Sequence, residues 1–174
     1  MGLALEAASR SVDRYCGRQF GVVGAAAARL YTAEWNYAKT ACEAMIDDVM
    51  TTTSMVVEDN DAVVAAADYQ LLPLNAAGNG RPWTHIRFGS GSSIEFGQIE
   101  ITALWGWTAV PDTVKNATLM QASRYFKRKD APFGVLGAPE FGSEAGANAA
   151  RLMARIDPDV AVMLNDYRRR WAVL

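Results

Sequence analysis

The sequence predicts an α+β chain: a small helical core made by a first, a second and a C-terminal helix, with an antiparallel β insert between the first two. Three observations predict it. Helical periodicity marks both ends of the chain, whereas the middle holds six short β-type runs separated by turn formers. No helical segment lies between those runs, so the strands connect antiparallel rather than through crossovers. The length of 174 residues, with 51% hydrophobic and 21% charged side chains, suits one domain with an insert. A chain of this length buries about 70% of its unfolded surface and needs no disulfide or metal staple. The expected organisation is a single domain over 1–174, with 1–28 and 108–174 as the helical core, 29–107 as the β insert and 131–150 as a Gly/Pro-rich loop.

The first helix follows from Leu5, Ala8, Val12, Tyr15 and Cys16, which recur at steps of three and four and share one face. Gly17 weakens its last turn, and Gly21 and Gly24 oppose continuation past Phe20. The β-type runs are Leu30–Glu34, Ala44–Asp47, Ser54–Glu58, Tyr69–Leu72, Trp83–Phe88 and Gln98–Trp105. Asp59-Asn-Asp61, Asn75 to Gly80 and Gly89-Ser-Gly91 punctuate them. In the last run Ile99, Ile101, Ala103 and Trp105 alternate with Gln98, Glu100 and Thr102, the pattern of a strand with one buried and one wet face.

The second helix opens at Pro111-Asp112, where proline sacrifices no hydrogen bond and aspartate suits the positive dipole end. Val114, Ala117, Leu119, Ala122, Tyr125 and Phe126 form its expected buried stripe, and Lys127-Arg128-Lys129 its last turn. Residues 130–150 are too rich in Gly and Pro for regular structure, and loops of that length are functional or mobile. Asp157-Pro158-Asp159 opens the final helix, with Val160, Met163, Leu164, Tyr167 and Trp171 on one face and Arg168-Arg169-Arg170 at its negative end. No internal repeat is visible.

Charge is segregated. Residues 31–110 hold ten acidic and three basic side chains, whereas 124–174 hold nine basic and six acidic ones. The formal net charge of −2 excludes a generally basic nucleic-acid binder. A head-to-tail self-associating subunit exploits such segregation, because each copy presents both signs. The start lacks a basic n-region and Glu6 interrupts its apolar stretch, so no signal peptide is expected. Glu6 also breaks the myristoylation pattern. The longest apolar stretch, Gly21–Ala28, falls well short of the ~20 residues of a membrane span. Cys16 and Cys42 stand in no metal or redox spacing and are expected to be reduced packing thiols.

Catalytic patterns are missing from the sequence. The single histidine, His85, lies in a strand run beside Trp83 and Arg87 and reads as a surface or interface residue. There is no nucleophile elbow, Walker loop or dinucleotide-binding glycine fingerprint. Asp47-Asp48 and Asp59-Asn-Asp61 offer clustered oxygens but lack the spacing of a calcium loop, and such turns arise for backbone reasons alone. Lys127–Lys129 and Arg168–Arg170 fit the dipole at helix C-termini and at most contact phosphates without reading bases. The expectation is no catalysis, no cofactor and no metal site.

Several stretches in order carry a resemblance. They are Tyr15-Cys-Gly-Arg-Gln-Phe20, Ile46-Asp-Asp-Val49, Tyr69-Gln-Leu-Leu-Pro-Leu-Asn75 and Gly80-Arg-Pro-Trp83. The most specific is Ile99-Glu-Ile-Thr-Ala-Leu-Trp-Gly-Trp107 with Val110-Pro-Asp-Thr-Val114. Ala122 with Arg124-Tyr-Phe-Lys-Arg128, Gly134-Val-Leu-Gly137 and Asp157-Pro-Asp-Val160 with Leu164, Tyr167 and Arg168 complete the set. Together they resemble the head–tail adaptor (connector) proteins of long-tailed bacteriophages, in particular those of actinobacteria, from about Leu5 to Trp171. This chain begins almost at the first shared helix, where many relatives carry additional residues.

The resemblance implies a structural virion protein in the neck between capsid and tail, present in the host cytoplasm before assembly. It implies a self-associated ring, usually a homo-dodecamer, that joins the portal protein to a stopper or tail-completion protein. Genomic DNA passes through such a ring without sequence-specific binding, and no membrane is involved. On this reading Lys127, Arg128, Lys129, Phe133, Val135 and Leu136 contribute to neighbour or stopper contacts. By family analogy Asp166, Tyr167, Arg168, Arg169, Arg170 and Trp171 contribute to portal docking. The rivals are a stopper or other neck component, then a small enzyme using His85 or the Asp clusters, then a nucleic-acid-binding module with salt-dependent affinity.

Overall fold

The central runs form the seven strands of one antiparallel sheet. In the computed structural model, which describes residues 2–21, 23–89, 94, 97–129, 135–136, 150–151 and 156–169, they are β1 (Ala27–Asn36), β2 (Ala41–Val49), β3 (Val56–Asp59), β4 (Ala62–Val63), β5 (Tyr69–Leu72), β6 (Trp83–Phe88) and β7 (Gly97–Ala103). The sheet order is β4-β3-β7-β1-β2-β6-β5. The long β1 pairs with β7 through Ala27–Ala33 and with β2 through Glu34–Asn36, so the sheet curls where β1 changes partner. The register of β2 against β6 shifts between the Met45–His85 and Val49–Trp83 pairs, so the ladder is irregular there.

The chain divides into two compact units, Phe20–Ala109 and the pair of segments Met1–Gln19 with Val110–Leu174. The β unit holds a continuous core of Ile46, Val49, Val57, Ile86, Phe88, Ile99, Ile101 and Trp105, all essentially inaccessible. In β7 the alternation appears as expected, with Ile99, Ile101 and Ala103 buried and Gln98 exposed. The β3–β4 hairpin turns on Asn60 and Asp61, both at positive φ (47° and 64°), the requirement of a two-residue type I′ turn.

The helical unit contains three described helices: α1 (Gly2–Cys16), α2 (Asp112–Lys129) and α3 (Pro158–Leu164). Helix α1 stops because Gly17 adopts φ 64° and closes a Schellman motif, in which the N–H of Gly17 donates to Arg14 O and that of Arg18 to Asp13 O. Asp157 caps α3 by accepting the Asp159 N–H at 3.0 Å. The buried side chains of this unit are mostly small: Ala8, Val12, Cys16, Val114, Ala117, Gln121, Val160 and Leu164.

The expected small helical core with a minor β insert is therefore overturned. Over the described residues the protein is a mixed α/β protein with a seven-stranded, curled antiparallel sheet and three helices, and strands dominate its core. The reason lies in side-chain size: the strands bury Trp, Phe and Ile, whereas the helices bury mainly Ala, Val and Cys.

Smaller expectations also fail. Leu5, Leu119 and Phe126, placed on buried stripes by periodicity, are exposed, and the inward position on α2 belongs to Gln121. The last helix does not run on toward Trp171. It ends at Leu164, tightens into a 3-10 turn over Asn165–Tyr167 and leaves Arg168 extended. Beyond that point the Arg169 N–H donates to Cys16 O at 2.7 Å instead of to a helical carbonyl. Apart from these, β8 (Val135–Leu136) pairs antiparallel with β9 (Ala150–Arg151), and the rest of 131–150 lies outside the described residues.

Candidate interface surfaces

Two of the motifs behind the resemblance meet in one clasp. Asp48, only 4% exposed, accepts the Trp107 indole N–H at 2.8 Å, and its backbone carbonyl accepts the Gly106 N–H at 2.7 Å. Gly106 sits at φ 99°, where a side chain would be strained, and so lets Trp105 and Trp107 both reach buried positions. The backbone N–H of Trp107 donates to Gly21 O at 3.2 Å, and the Phe20 and Trp107 rings lie 5.3 Å apart. The two ends of the β unit are thus fastened to each other.

Asp47, next to Asp48, faces a different set. Its carboxylate accepts from Arg29 at 2.6 Å and from the Tyr31 hydroxyl at 2.9 Å. The Arg29 guanidinium stacks 4.8 Å from the Trp105 ring. Burial, with the Asp47 charge beside it, pushes the Tyr31 phenol well above its ordinary value, so it stays a donor. The Asp47–Asp48 pair is engaged in holding aromatic residues. Asp59-Asn-Asp61 likewise forms the β3–β4 turn. Among the described residues no group of three or more His, Cys, Asp or Glu side chains is placed to hold a metal ion. His85 bonds through Nδ1 to the Thr84 hydroxyl at 2.9 Å, between Met45 and Leu72 as cross-strand neighbours.

Glu43 on β2 receives Arg87 at 2.7 Å and Lys39 at 2.9 Å. Burial raises its pKa, but these two bonds and charges outweigh burial and hold the carboxyl below its ordinary value.

Toward β4 the outer face of the sheet differs. Val63, Glu58, Glu100 and Leu30 are register partners in a single row across four strands. Val63 is 68% and Leu30 57% exposed, and the partly exposed Val56 lies one row away. Glu58 and Glu100 oppose each other directly, and neither makes an ion pair with any described residue.

In the helical unit, Gln121 accepts the Asp157 N–H at 3.0 Å through Oε1, while its buried Nε2 has no partner among the described residues. Arg124 pairs with the same Asp157 carboxylate. The opposite face of α2 carries Leu119 (58% exposed), Met120, Ser123, Phe126 and Lys127 at helical spacing.

Of the residues expected at neighbour contacts, Lys127 is exposed on that face, Arg128 and Lys129 complete α2, and Val135 and Leu136 form β8. Phe133 lies outside the described residues. Of the expected docking group, Asp166 and Tyr167 occupy the 3-10 turn, Arg168 stacks 5.0 Å from the Tyr15 ring, and Arg169 is tied through its backbone to α1. Arg170 and Trp171 lie outside the described residues. Arg168 and Arg169 therefore lie against α1, and Lys127 lies at the far end of α2 from Asp112.

Among the described residues no helix is long and apolar enough to cross a membrane. The chain matches no protein-family model and none of the curated proteins with which it was compared.

Proposed function

We propose that the protein is a head–tail adaptor of a long-tailed phage: a structural subunit that forms a ring between the portal and the stopper or tail. The observation that carries this is the ordered set of adaptor-like motifs from Leu5 to Trp171. Their physical coupling adds support, since the Ile46–Val49 and Ile99–Trp107 stretches are bonded through Asp48 and Trp107. Charge distribution also suits a subunit that must present two different surfaces. The β unit holds ten acidic and four basic side chains, and the helical unit nine acidic and thirteen basic ones. No catalytic step, cofactor or metal enters the proposal, and DNA is a passenger in the channel.

Electron microscopy of the purified protein, with and without its candidate portal, tests this. A ring stacked coaxially on the portal supports the adaptor reading. Binding to the tail tube without binding to the portal would reassign the protein to a stopper or tail-completion role. A monomer that ignores both would overturn the neck assignment.

A further inference from the structure

The outer row Val63–Glu58–Glu100–Leu30 combines two features that a lone chain has no reason to keep together. Like charges directly opposed across strands are destabilising, and here they are flanked by exposed aliphatic side chains. The outer face of α2 offers the complement: Leu119, Met120 and Phe126 exposed, with Lys127 on the same side and in no ion pair with a described residue. Dimensions agree as well. Four strands span about 14 Å across the sheet, and the helix rises about 12 Å from Leu119 to Lys127.

We infer that these two faces are the two halves of one interface between copies of this chain. The outer face of α2 in one copy lies across the β4-β3-β7-β1 row of the next. Lys127 approaches the Glu58–Glu100 pair, and Leu119, Met120 and Phe126 cover Leu30, Val56 and Val63. The charge that is costly in isolation becomes favourable once a cation is delivered, while the apolar side chains leave water together. Because the halves differ, the contact is head-to-tail, which closes into a ring when its rotation permits. The inference rests on the ring reading and names the surfaces that make the ring.

The test uses full-length protein as an equal mixture of unlabelled and ¹⁵N-labelled chains, with a zero-length carbodiimide crosslinker that joins carboxylates to lysines in contact. Mixed-isotope crosslinks from Glu58 or Glu100 to Lys127 are expected. Intermolecular crosslinks confined to other positions, or none at all, would overturn the interface. A second arm uses Glu100→Lys and Lys127→Glu. Both sites lie on outer faces, so both variants are expected to keep the circular dichroism of the parent. Each alone should weaken self-association, measured by sedimentation velocity, by at least about tenfold, and mixing them should restore part of it. Rings on the portal that are indifferent to both substitutions would sink this interface and leave the ring standing. Absence of any ring with the parent protein would sink the ring itself.

Discussion

The two units bury different kinds of side chain and so hold together differently. The β unit packs Trp105, Trp107, Phe88 and four isoleucines to essentially zero exposure, and its buried polar contacts fasten those aromatics in place. The helical unit buries small residues and depends on directed contacts: Gln121 to the Asp157 backbone, Arg124 to the Asp157 carboxylate, and Tyr125 to Ser11 at 3.0 Å. Nonspecific burial supplies most of the stability in the first, whereas in the second the hydrogen bonds decide which arrangement of helices is adopted. The difference explains why a chain with helices at both ends is nonetheless organised around strands.

Separate probes exist for each unit. Trp35, Trp83, Trp105 and Trp107 lie in the β unit, so tryptophan fluorescence reports mainly on it, while circular dichroism at helical wavelengths reports on the other. The largest expected effect is Trp105→Ala, which should cost about 3–5 kcal/mol in denaturant unfolding followed by fluorescence. Leu164→Ala in the helical unit should cost about 2–3 kcal/mol and move the dichroism midpoint more than the fluorescence one. Equal movement of both midpoints would mean the units unfold as one, and the contrast would fail.

Asp48→Ala strands the buried Trp107 N–H and should cost about 1–3 kcal/mol, with Asp48→Asn, which keeps an acceptor, less severe. Similar losses from the two substitutions would show that charge, rather than acceptor geometry, matters at the clasp.

Acid provides a gentler test. The Glu43 carboxyl is held below its ordinary value of 4.5, so its contribution is complete above that pH and disappears as pH falls through the lower folded value. Fluorescence-detected stability should therefore drop on acidification below about pH 4.5, and Glu43→Gln should flatten that part of the profile. An unchanged profile would remove Glu43 from the account.

The smallest effect is expected for Gln121→Met. It gives up one acceptor but also removes a buried amide N–H₂ that has no partner among the described residues, so stability should change by less than about 1 kcal/mol. A loss of several kcal/mol would make Gln121 the central support of its unit.

What the sequence made legible follows from how local each cause is. Tyr69–Leu72 and Trp83–Phe88 have the bounds expected, because compact turn chemistry ends them on both sides. The stop of α1 was foreshadowed by Gly17, whose left-handed φ requires little else. By contrast, β1 begins at Ala27 inside a run of alanines with weak strand preference, and only pairing with the distant β7 makes it a strand. The two-residue β4 is invisible without its partner. Hydrophobic residues at helical spacing usually face inward, yet Leu119 and Phe126 are exposed. The buried position belongs instead to Gln121, whose Oε1 accepts the Asp157 N–H from a segment distant in sequence. The candidate surfaces were the least legible part, since the Glu58–Glu100 opposition exists only in the register of β3 against β7.

The joining of Gly21 to Trp107 also bears on the order in which the chain folds. Ninety residues separate the two segments of the helical unit. Once the β unit has folded, its fastened ends convert that gap into a connector of a few residues. Loop-closure cost falls by about 0.6 kcal/mol for each halving of length, so bringing α1 to α2 becomes easier by roughly 2 kcal/mol. The helical unit is therefore expected to form after the nonlocal pairing of β1 with β7, the slower kind of contact to make.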